Sequence, residues 1–189
     1  MKPDAPSRKS GTRLVRTAGK QTRCSRDVQW AGSYLSSMTA EPLLAEITPL
    51  LAKHRLSAVL IGNAAAALQG SPVTTVDLDF MFRKNSRSLA KLRKITDELH
   101  ATVLRPYYPA SDLYRVVRER DQLQLDFMGR IDGIRSFEAL RARASRARFG
   151  GAELLVASLE DIIRSKEAAN RPEDRAVLPL LRKTLRETR

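Results

Sequence analysis

Three aspartates stand where strands are expected. Asp77 and Asp79 lie two apart in VTTVDLDFMFR, Val73 to Arg83, and Asp126 lies in QLQLDFMG. Side chains alternate along a strand with period two, so Asp77 and Asp79 would share one face while Val76, Leu78 and Phe80 point to the other. Like charges that close repel, and strands disfavour aspartate. A cation bound by both removes the repulsion, and hard oxygens converging from one side suit Mg2+ or Mn2+. If the Asp126 strand neighbours the first, three carboxylates make a two-metal site of the kind that clamps the entering and leaving oxygens of phosphoryl transfer. The plainer readings are a solvated strand face for the pair and a hairpin-edge residue for Asp126.

Gly62-Asn63 supplies a complementary feature. An apolar strand ending at Ile61, a glycine turn and a following helix bring backbone N–H groups and a helix dipole to bear on an anion. Asn63 suits the N-cap, and its amide can also donate to a phosphate. An ordinary strand-to-helix turn is the competing reading.

Periodicity indicates the elements that must carry these residues. From Glu41, EPLLAEITPLLAKH has helical apolar spacing, with Pro42 in the first turn and Pro49 placed to kink or split the helix. LSAVLIG is a short strand, AAAALQ a short helix, and Val73–Arg83 a second strand. SRSLAKLRKITDELHA puts Leu89, Leu92, Ile95 and Leu99 on one stripe, with Ser86 or Ser88 as cap. TVLRP is a short strand. LYRVVRER and QLQLDFMG read as an antiparallel hairpin turning near Arg120 and Asp121. SFEALRARASRAR reads as a basic helix ended by Gly150 and Gly151, and AELLVA as a short extended piece. Ser158 and Asp161 open a helix in SLEDIIRSKEAAN, and Pro172 opens a last one. The sum is an α+β domain: a mixed sheet with an antiparallel hairpin, flanked by helices.

Length and charge bound the function. The chain has 189 residues, 42% of them hydrophobic, enough for one domain with its own core. Lysine and arginine total 34 against 21 acidic residues, a formal charge of +13, which suits a polyanionic partner such as a nucleic acid or a nucleotide phosphate. Cys24 is the lone cysteine, so an intrachain disulfide and a cysteine-rich zinc site are excluded, in keeping with a reducing, cytoplasmic setting. The histidines are His54 and His100 alone, which leaves chemistry to carboxylates, lysines, arginines and hydroxyls. No apolar run approaches a membrane span. Residues 1–37 carry +6 of the charge and read as a disordered basic segment: a nucleic-acid-binding arm, a transit-like presequence, or an extension upstream of Met38. The domain proper is expected over 38–189.

The order of these features resembles the nucleotidyltransferase superfamily that includes DNA polymerase β. Among its branches the likeness is to small bacterial and archaeal members, including toxin-like nucleotidyltransferases of abortive-infection toxin–antitoxin systems. The matching residues are Gly62, Gly70, Pro72, Thr75, Asp77 and Asp79, and SLEDIIRSKEAANRPEDRAVL is similar to the C-terminal part of that branch. The likeness runs from about Leu43 to Leu181. Asn63 stands where the family prefers Gly or Ser, and Val73 where many relatives have Arg.

The resemblance implies roles. Asp77 and Asp79 would hold the metals, and Asp126 would bind one metal and help deprotonate an acceptor hydroxyl. Gly62 and Asn63 would cradle the β- and γ-phosphates of an NTP. Lys166 and Arg171 would face the triphosphate or the base, although Lys166 also reads as a helix-surface lysine and Arg171 as scaffolding beside Pro172. The implied reaction moves an NMP from NTP to an acceptor hydroxyl, with a cognate antitoxin or other partner protein in view. Arg141, Arg143, Arg146 and Arg148 on one basic helix lean toward an RNA acceptor such as a tRNA end, with a protein hydroxyl next. The alternative is a catalytically degenerate binding module of the same fold, and a weaker one a structural partner that docks another chain.

Overall fold

The computed structural model of the chain describes residues 40–75, 77–104 and 112–188. The basic segment 1–37 lies outside the described residues, as does Val76. Among the described residues six α-helices and seven strands follow in the order α1 (Ala40–Lys53), β1 (Ala58–Ile61), α2 (Gly62–Ala67), β2 (Leu78–Phe82), α3 (Ser86–Glu98), β3 (Thr102–Leu104), β4 (Leu113–Arg118), β5 (Leu123–Met128), α4 (Phe137–Arg143), β6 (Ser145–Phe149), β7 (Ala152–Val156), α5 (Leu159–Ala169) and α6 (Pro172–Glu187).

The strands form one sheet in the order β3-β4-β5-β2-β1-β7-β6. The pairs β2–β5 and β1–β7 are parallel and the others antiparallel. This is the mixed, helix-flanked α+β sheet expected. β1 is four apolar residues in a row and is buried at every position, as a central strand covered on both faces must be. Period-two alternation turns Phe80 and Phe82 of β2 and Phe127 of β5 into the core. Phe80 stacks on Phe127 at 5.0 Å between ring centroids, and Phe82 meets Phe127 edge-on at 6.0 Å. Such pairs contribute about 0.5–1.5 kcal/mol each beyond area burial. They lock β2 against β5 and leave Asp79 and Asp126, each one residue before a phenylalanine, facing the other way.

A buried arginine ties the β4–β5 hairpin to the helices. The Arg118 side chain is 3% exposed. It donates two hydrogen bonds to Glu46 of α1 at 2.7 and 2.8 Å and two to Asp121 in the turn at 2.9 and 2.7 Å. A further one reaches the Leu99 carbonyl at 3.3 Å.

Four local expectations are corrected. α1 is not split at Pro49 but runs through it as one helix, because burying Leu44, Ile47 and Leu51 outweighs the one backbone bond that proline removes. The second strand starts only at Leu78. Ahead of it the Thr75 hydroxyl accepts from the Asp77 N–H at 3.2 Å and donates to the Asp77 carbonyl at 3.0 Å, a local turn that competes with the ladder. Asn85, rather than Ser86 or Ser88, caps α3, its side-chain oxygen accepting from Ser88 N–H at 2.8 Å. The long basic helix does not exist: α4 ends at Arg143, and Ser145–Phe149 becomes β6, paired antiparallel with β7. Gly150 and Gly151, at φ +56 and +80, form the two-residue turn between them. Two successive positive φ angles are what a tight hairpin turn demands and what glycine supplies without strain.

Candidate active site

The core packing of β2 against β5 determines what stands on their other face. The parallel register sets Asp79 directly opposite Asp126, and the antiparallel register of β1 sets Ile61 opposite Asp79. β5 lies between β4 and β2, so Asp126 is buried in an interior strand and is no hairpin-edge residue. Gly62 follows Ile61 at once, with φ +68. A Cβ there would collide with the Asp79 carboxylate oxygen. The position thus needs glycine for its backbone and for its space.

Asp79 carries the perturbation of the site. Its pKa is pushed up to about 6, first by burial and then by the charges of Asp126 and Asp77, while Lys166 and Arg115 pull the other way. Asp77 sits one residue ahead of β2, so the Thr75 turn, not strand alternation, places it. Asp126 accepts two 2.8 Å hydrogen bonds from the Arg115 guanidinium, which comes from the facing position of β4. Those bonds, followed by the charges of Asp126, Asp77 and Asp79, hold Arg115 firmly protonated.

The donor chemistry around Asp79 suits a hard cation, since a cation would relieve the repulsion that raises its pKa. The expected three-carboxylate cluster is nevertheless not assembled. Among the described residues no three Asp, Glu, His or Cys side chains are grouped to hold a metal ion. Both Asp126 oxygens are instead engaged by Arg115.

A cleft of about 500 Å³ opens beside Asp79. Ile61, Gly62 and Asp79 form part of its wall, residues 129–136 another, and α5 and the start of α6 contribute Lys166, Arg171 and Asp174. Lys166 is not a surface lysine: its side chain is 14% exposed and donates to Asp174 at 2.8 Å. Arg171 occupies the N-cap position of α6, is largely exposed and lies 3.8 Å from Asp174. Of the residues singled out from sequence, Gly62, Asp79, Lys166 and Arg171 line this cleft, whereas Asp77, Asp126 and Asn63 do not.

Asn63 is also not the helix cap. Ile61 holds that position without a side-chain bond, and Asn63 lies within the first turn. Its Oδ1 is buried and has no hydrogen-bond partner among the described residues. Val73 is buried in the core and serves packing. Sequence reasoning missed Arg115, Asp174 and the 129–136 wall. Arg115 was accessible in principle, by counting back across the hairpin from Asp126.

A family described as a nucleotidyl transferase of unknown function (DUF2204) matches residues 41–189. The chain belongs to this family. A search of curated proteins found no match. Solved structures share the fold. The lincosamide antibiotic adenylyltransferase LnuA, with lincomycin bound, is 12% identical and superimposes with a TM-score of 0.56 over 76% of this chain and 97% of that one. ANT(2″)-Ia in complex with adenylyl-2″-tobramycin is 18% identical, with a TM-score of 0.55 over 78% and 90%. A candidate nucleotidyltransferase from Thermotoga maritima is 21% identical, with a TM-score of 0.55 over 79% and 96%. These likenesses establish the nucleotidyltransferase fold expected from the sequence. Among the described residues no helix is long and apolar enough to cross a membrane.

Proposed function

We propose that this nucleotidyl transferase family member moves an NMP from an NTP to an acceptor hydroxyl, with RNA as the acceptor. The observation that carries the reading is the register pairing of Asp79 with Asp126 beside the obligatory Gly62, at the wall of a cleft that also holds the half-buried Lys166. Phosphoryl transfer asks a protein for position and countercharge, and this arrangement is suited to both. Asp77 and Asp79 would hold Mg2+ or Mn2+, with Asp126 joining them once Arg115 lets go. The ion would supply charge neutralisation at the triphosphate. Gly62 would let the backbone approach the phosphates closely, with Asn63 beside it. Lys166 would supply a fixed positive charge, and Arg171, exposed at the cleft edge, would reach the triphosphate or base. The toxin-like branch and a cognate antitoxin or partner protein rest on the sequence resemblance, and a cytoplasmic location on the lone Cys24.

The test is transfer of label from each α-labelled NTP, with Mg2+ and total RNA, beside the Asp77→Ala/Asp79→Ala variant. Label on RNA that disappears in the variant supports the reading. Label on protein or on a small compound moves the acceptor to that class. Small compounds are what LnuA, with lincomycin, and ANT(2″)-Ia, with adenylyl-2″-tobramycin, hold.

A second reading, a binding module with a lapsed catalytic site, is favoured by two observations. Arg115 occupies Asp126, and the Asn63 oxygen is buried without a partner among the described residues. No label with any NTP or metal, from a folded protein that still binds RNA, would select it.

A further inference from the structure

A second hollow, of about 270 Å³, adjoins the cleft and is lined by Gly133, Arg135, Ala139, Arg143 and Arg164. Gly133 and Arg135 line both cavities, so the two are neighbours. Three guanidinium groups around one small hollow repel each other unless something holds them. Asp161 does so for two. Its side chain is 1% exposed and accepts two bonds from Arg143 at 2.8 Å and one from Arg164 at 2.9 Å. A fourth comes from the Ser158 hydroxyl at 3.2 Å. The carboxylate is thereby saturated, while each guanidinium, with five N–H donors, has donors to spare. The Arg143 and Arg164 side chains are 44% and 54% exposed, so those donors are open to solvent. Arg135 is exposed and forms no ion pair among the described residues. The hollow thus carries a net charge of +2, with two of its three forks oriented in advance by a buried anion.

We propose that this hollow is a phosphate subsite that anchors the backbone of an RNA acceptor beside the nucleotide cleft. Planar guanidinium forks match phosphate oxygens in geometry and charge. The adjoining cleft lets one molecule present its phosphate here and its hydroxyl there. The chain's charge of +13 favours a polyanion over a small anionic compound. The proposal rests on the RNA-acceptor reading above and adds where that acceptor is held.

The experiment uses the full chain, a fluorescent single-stranded RNA and anisotropy titrations over a range of salt. Arg164→Gln and Arg135→Gln are compared singly and together. Both keep the two-bond Arg143–Asp161 link, so the buried carboxylate stays paired. Arg164→Lys serves as the conservative control, and thermal melts check folding. The double variant is expected to bind RNA at least about 10-fold more weakly, with the slope of log K against log salt shallower by about 0.7 for each phosphate no longer neutralised. Arg164→Gln is expected to bind a fluorescent NTP as the unaltered protein does, and Arg164→Lys to recover part of the RNA affinity. Unchanged RNA affinity and slope would overturn the subsite while leaving RNA as the acceptor. Weakened binding with an unchanged slope and a lowered melting temperature would assign the arginines to structure alone and also overturn it. An unaltered protein that binds no RNA but labels protein or a small compound would remove the RNA-acceptor reading and the subsite with it.

Discussion

Replacing Asp79 with asparagine should stabilise the protein at neutral pH and abolish the proposed nucleotidyl transfer. The Asp79 pKa rises from 3.8 to about 6 in the folded chain. A shift of one unit corresponds to 1.36 kcal/mol, so keeping this carboxylate ionised in the fold costs about 3 kcal/mol. The sign follows from linkage. With the folded value raised, the folded state holds a proton that the unfolded state has lost, so stability falls as pH rises between 3.8 and about 6 and is level above. Asparagine is nearly isosteric and never ionises, so Asp79→Asn should remove this slope. Its advantage over the unaltered protein should be near zero below the unfolded pKa and about 3 kcal/mol at neutral pH. About 1.4 kcal/mol of that change should fall between about pH 5 and pH 7.5. Urea unfolding across this range measures it directly, and Mg2+ added to the unaltered protein should recover part of the same free energy. A variant no more stable than the parent at neutral pH, or equally favoured at every pH, would refute the claim that burial and the neighbouring carboxylates strain Asp79. A gain in stability with a loss of activity is the trade-off expected where a site is electrostatically strained for its function.

Three other perturbations test the surrounding arrangement. Gly62→Ala meets both a left-handed backbone and the Asp79 carboxylate, so it should cost roughly 1–3 kcal/mol in thermal or urea unfolding and abolish NTP binding; an alanine variant that binds NTP normally would contradict the close approach. Lys166→Met removes a positive charge that holds the Asp79 pKa down, so NMR titration of the Asp79 carboxyl should give a value above about 6; an unchanged or lower one would show that Lys166 does not act on Asp79. Arg118→Met leaves Glu46 and Asp121 without their shared partner and should lower stability in urea unfolding, modestly because both carboxylates are exposed to water; no loss at all would rule out Arg118 as the tie between α1 and the hairpin.

Local pattern alone determined much of this protein. The apolar run ending at Ile61, the Leu92–Ile95–Leu99 stripe, the turn near Asp121, the Ser158 cap and the Pro172 helix start are short-range signals, and each became the expected element. They carry the α+β class and the candidacy of Asp79, Asp126 and Gly62, because strand propensity, caps and glycine turns act within a few residues. Tertiary structure decided what lies farther apart. Ser145–Phe149 has enough helical spacing to read as helix, yet pairing with β7 across Gly150-Gly151 supplies a full ladder of hydrogen bonds that an exposed helix end could not match. The engagement of Asp126 by Arg115 depends on hairpin register, and that of Lys166 by Asp174 on how α6 packs against α5. The raised pKa of Asp79 depends on three chain segments meeting and on the water they exclude. Charge and periodicity are properties of residue types along a chain, whereas a cleft, a saturated carboxylate and a strained one are properties of distances, which only the folded packing sets.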